Sequence, residues 1–143
     1  MFKNFYYNNN HIALVIRSNY STEGIKFFTK DDNIQQVGYM SHKKGTEIDS
    51  HIHNEIQRVI KGTPEVLIIK KGKIRLDLYT REKEYIESTV LNEGDIVLLL
   101  DGGHGLKCLE DVEMMEVKQG PYLGVNDKER FPSISDDKVI IND

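Results

Sequence analysis

The chain has 143 residues, a net charge of −4 and a single cysteine. That length suits one domain, residues 1–143, with a single substantial core. The acidic balance excludes the clustered basic footprint of a nucleic-acid binder, and a lone Cys108 excludes an internal disulfide framework and any cysteine-based zinc finger.

No stretch approaches the ~20 apolar residues of a membrane span, and residues 1–10 lack an apolar run of signal-peptide length. The expectation is a soluble, unprocessed, cytoplasmic protein whose partner is a small molecule, with no nucleic acid and no membrane.

Short β-rich runs bounded by Gly, Asn, Asp and Lys clusters recur along the chain, while helical periodicity is scarce, which is the all-β signature. Residues 11–17, 24–29 and 37–41 read as early strands, separated by turns at 19–23 and 30–33. Glu65 opens an apolar run that leads to a glycine turn at Gly72 and a second run at 73–80. There Ile74, Leu76 and Leu78 alternate with Arg75, Asp77 and Tyr79, so one face is expected to be buried and the other wet.

By the same parity Glu65, Leu67 and Ile69 share a face, and an inward carboxylate needs a partner. A metal ion would supply one. Residues 81–84 form a polar turn and 85–91 a strand. A further turn at 92–95 leads into the continuous apolar run 96–100. The last strand of this series is expected at 112–118, ending at Gly120-Pro121; its parity leaves open whether Met114 and Glu116, or Met115 and Val117, face inward. The tail from Pro121 carries a weak strand signal at 138–141 and otherwise reads as an arm, and Cys108 reads as a buried thiol. His11 and His42 read as solvent-facing and carry no assigned role.

The chemistry lies in His51-Ile52-His53, Glu65, and His104 within Gly102-Gly103-His104-Gly105. In a strand, residues i and i+2 point to the same face, so His51 and His53 would project together and grip one ion. Three imidazoles and a carboxylate suit Fe, Mn, Ni, Co or Zn as divalent ions and disfavour Cu(I), which seeks thiolates.

The run from Gly45 through His51, His53, Glu65 and Gly72, and the second run from Gly94 to His104, resemble the two short motifs of the cupin superfamily. The resemblance spans residues 37–119. It implies an antiparallel double-stranded β-helix, the cupin jelly-roll barrel, with N- and C-terminal arms, a divalent transition metal held by His51, His53, Glu65 and His104, a small-molecule ligand in the barrel, and a homodimer.

The segment 54–64 is longer than the family's usual spacing, so three residues compete for the carboxylate position. Gln57 stands at the usual distance but is neutral, Glu55 follows His53 closely, and Glu65 precedes Gly72 by the right interval and opens a strand. Glu65 is the choice. Function is expected to be binding or transformation of a small polar metabolite. A non-catalytic metabolite sensor is one alternative, and a metal-free nucleotide-sugar isomerase or epimerase working through a histidine base is another.

Overall fold

Alternating apolar residues make strands here, and in the computed structural model, which describes residues 1–142, the chain is all-β. The strands are β1 (Phe2–Tyr7), β2 (Asn10–Ile16), β3 (Gly24–Phe27), β4 (Gly38–Ser41), β5 (Glu65–Lys71), β6 (Lys73–Tyr79), β7 (Tyr85–Asn92), β8 (Ile96–Leu99), β9 (Gly103–Cys108) and β10 (Glu113–Lys118). Two short 3-10 turns follow, Gly124–Asn126 and Asp136–Lys138, and among the described residues no helix is long and apolar enough to cross a membrane. Every pairing between named strands is antiparallel.

The chain divides into two units. The smaller, residues 21–62, contains the hairpin-like pair β3 and β4, with Gly24 opposite Ser41 and Phe27 opposite Gly38. Thr29 donates its hydroxyl to Gln36 Oε1 at 2.6 Å and ties the connection between them. Residues 42–62 carry no strand.

The larger unit joins residues 1–20 to the chain from Thr63 onward. It holds a five-stranded sheet in the order β1-β2-β8-β5-β10 and a three-stranded sheet in the order β7-β6-β9. Asn8 and Asn9, at φ +46° and +66°, make the tight turn between β1 and β2, a position that asparagine tolerates better than bulky residues. At Gly72 the chain passes from one sheet to the other with φ +81°, and a Cβ there would sit 2.0 Å from the Asp111 carbonyl oxygen. Only glycine fits that crossing.

The core lies between the two sheets. Phe5, Ile12, Ala13, Val15, Leu67, Ile69, Val97 and Leu99 come from the five-stranded sheet, and Ile74, Leu76, Leu78 and Leu91 from the other. Each of the Phe, Leu, Ile and Val side chains among them contributes about 1.5–3 kcal/mol by leaving water. Asp95 fastens the turn between β7 and β8 to the end of β2, accepting from Arg17 Nη1 at 2.9 Å, Ser18 N at 2.8 Å and Asn92 N at 3.0 Å.

Four sequence expectations change. No sheet closes into a barrel among the described residues; β1, β10, β7 and β9 are all edge strands. The second face of β6 is not wet, because residues 131–141 of the tail lie over it: Arg75 is 7 % exposed, Asp77 2 % and Tyr79 3 %. The weak strand signal at 138–141 becomes a single parallel bridge, Ser88 to Ile141. The thiol of Cys108 is exposed, since it belongs to the end of an edge strand. At the N-terminus Phe2, Phe5, Tyr6 and Tyr7 lie on β1, which sends Phe5 into the core.

Candidate functional site

Glu65 sits on the inner face of β5 with Leu67 and Ile69, as strand parity requires. Facing it from the other sheet is β9. Register fixes which residues β9 turns inward: Leu78 pairs with His104, Leu76 with Leu106 and Ile74 with Cys108, so those three share the face of the β6 core row. His104 Nε2 reaches Glu65 Oε2 at 3.2 Å, joining the two sheets through a polar contact at the margin of the core. Glu65 is 9 % exposed, and the His104 side chain is one-third exposed.

The hydrogen bond from His104 holds the Glu65 carboxyl below the usual carboxylate range. Burial opposes this, and the charges of His104, Lys128 and Lys118 add to it. The ambiguity in β10 is resolved by its register with β5: Met114 lies opposite Ile69, Glu116 opposite Leu67 and Lys118 opposite Glu65. Met114, Glu116 and Lys118 therefore share the inner face.

Lys118 donates to Asp127 at 3.1 Å, lies 3.6 Å from Glu116, and stands 5.1 Å from the centre of the Tyr122 ring. Its pKa is raised, chiefly by the Asp127 hydrogen bond, and that of Asp127 is correspondingly lowered by Lys118. Asp127 had no signal in the sequence. It follows the last strand in an irregular segment, and only the fold brings it to Lys118.

His51 and His53 belong to the smaller unit. The strand expected to align them is absent, for residues 42–62 pair with no neighbour and strand alternation has no ladder to act on. Their rings nonetheless meet edge to face with centroids 5.2 Å apart, and His51 Nδ1 lies 2.9 Å from the Asp49 carbonyl oxygen. Both are exposed, as are Glu55 and Gln57 in the same segment. Of the three candidates for the carboxylate position, Glu65 has its carboxylate 3.2 Å from His104 Nε2.

A carboxylate oxygen and an imidazole nitrogen 3.2 Å apart are a compatible donor pair for one ion. Two neighbouring ligands at ~2.1 Å from a metal, set at a right angle, stand ~3.0 Å from each other. Among the described residues, no group of three or more His, Cys, Asp or Glu side chains is arranged to hold a metal.

No protein-family model, curated protein or solved structure matches the chain.

Proposed function

We propose that the chain is a metal-binding protein of the cupin type that takes a small polar molecule beside Glu65 and His104. The observation that carries this reading is the 3.2 Å approach of those two side chains from facing sheets, since the sequence motifs assign both to one ion. Strand order supports the fold part of the proposal. β5 pairs with β8 and β10 while β6 pairs with β7 and β9, so successive strands cross between sheets in the Greek-key manner of a jelly roll. His51 and His53 join the site on their motif alone.

A divalent Fe, Mn, Ni, Co or Zn ion bound there would polarise a ligand oxygen or serve oxygen chemistry. The chain's own residues do the rest: Glu65 stays anionic, His104 offers an imidazole, and Lys118 at the end of the neighbouring strand is balanced by Asp127 from the segment that follows it. Used without turnover, the same site binds or senses its ligand.

A second reading rests on the same contact. A histidine oriented by a buried carboxylate is a general-base arrangement that needs no metal, as a sugar isomerase or epimerase would use it. Elemental analysis of protein purified without an affinity metal separates the two. The metal reading expects about one divalent ion per chain, lost by at least ~10-fold in affinity on His104→Ala or His51→Ala. Full-length protein that neither retains nor binds any of the five ions at micromolar concentration leaves only the metal-free base.

A further inference from the structure

The outer face of β6, β7 and β9 is a groove that the chain fills with its own tail. Arg75 is buried and spends Nε and Nη2 on Asp77, at 2.7 and 3.0 Å, which fixes the guanidinium plane. Its remaining Nη1 donates to Asp136 Oδ1 at 2.9 Å, and Lys107 from β9 donates to the other oxygen of the same carboxylate. To either side the groove holds main chain. Ile134 N donates to the Tyr79 hydroxyl at 2.9 Å, Ile140 N donates to the Tyr85 hydroxyl at 2.9 Å, and Ser88 N donates to the Ile140 carbonyl at 2.8 Å.

Gly103 clears room for the tail, whereas Gly105 lies at ordinary contact distance from it. A Cβ on Gly103 would stand 3.0 Å from the Phe131 ring, and one on Gly105 3.7 Å from Ser133 Oγ. The groove thus reads two stretches of extended backbone, which any sequence offers, and one carboxylate between them, which only an acidic segment offers.

The tail is a weak occupant. None of residues 131–142 is buried, and the Asp136 side chain is 62 % exposed. Besides these hydrogen bonds the Phe131 ring packs edge-on against Tyr79 with centroids 5.0 Å apart, and a segment held this near the surface opens at lower cost than the core strands.

We propose that this groove recognises an extended acidic segment of another protein, and that residues 131–141 are its resident competitor. The tail of a second copy makes the same contacts as the tethered one and loses to it, because tethering supplies an effective concentration of about millimolar. A foreign segment with a better fit overcomes that.

A labelled synthetic peptide spanning residues 130–142, titrated into full-length protein, tests the site. Asp136→Asn in the protein, a change at an exposed side chain, weakens the resident tail and is expected to tighten peptide binding about tenfold, through loss of the charge-assisted contacts on one side of the competition. Adding Lys107→Glu should abolish that gain, and a peptide carrying the Asp136→Asn change should bind the variant about tenfold more weakly than the unchanged peptide does. In parallel, Lys107→Glu alone should speed amide exchange at Ile140 about tenfold while exchange in β8 stays unchanged. Equal peptide binding by wild type and Asp136→Asn overturns the proposal, as does a tail whose exchange ignores Lys107. Concentration-dependent dimerisation of Asp136→Asn in step with peptide binding would assign the groove to a second copy and overturn it equally.

Discussion

A buried carboxylate persists as an anion only where something answers its charge, and at Glu65 the answer is His104. Because the folded carboxyl titrates below its ordinary value of 4.5, its stabilisation is complete above that pH and is lost as pH falls through the folded value. Glu65→Gln should therefore cost about 1–2 kcal/mol near neutrality. In urea melts the difference between wild type and variant should shrink steadily below about pH 4; a difference unchanged down to pH 3 would show that His104 does not stabilise the carboxylate. Glu65 was legible in the sequence, since parity with Leu67 and Ile69 turned it inward. Lys118 was half legible: the adjacent Met114 and Met115 hid the parity of β10, which only its register with β5 reveals.

Elements carry information the alternation of side chains cannot. The inner row of β6, Ile74, Leu76 and Leu78, could be read directly, but its outer row was expected to be wet because its cover arrives from sixty residues downstream, Asp136 meeting Arg75 at a separation of 61. Burial without water makes the pairing of Arg75 with Asp77 obligatory. Asp77→Ala removes two acceptors from a guanidinium that is 7 % exposed and one from Ser88, and should destabilise by about 3–5 kcal/mol. The double change Arg75→Met with Asp77→Leu removes both charges and should cost far less in thermal or chemical melts. Should the double change prove as damaging as Asp77→Ala, packing rather than charge governs that face. β9 was the element least visible beforehand, because Gly103 and Gly105 interrupt its alternation; Gly103 serves instead to admit the Phe131 ring, which a Cβ there would approach to 3.0 Å.

Across the molecule, regular pairing is concentrated in the larger unit, whereas residues 42–62 hold His51 and His53 without a strand. The spacing of those histidines is real in the sequence, yet a two-residue period says only which side chains would share a face once a neighbouring strand exists. That dependence explains why the two halves of the motif were not equally legible. Limited trypsin digestion offers a direct comparison: cleavage at Lys43, Lys44, Arg58 and Lys61, all exposed and outside any strand, should precede cleavage at Arg75 by at least ~10-fold in rate. Early cutting within β6 would contradict the division of the chain.

β9 turns His104 toward Glu65 and Lys107 toward the tail, three residues apart and so on opposite sides of one ribbon. A single-residue insertion or deletion upstream within that ribbon would transpose them, sending the imidazole out to the tail and the ammonium in toward the carboxylate. Length changes that an irregular segment absorbs would here undo both contacts in one mutational step.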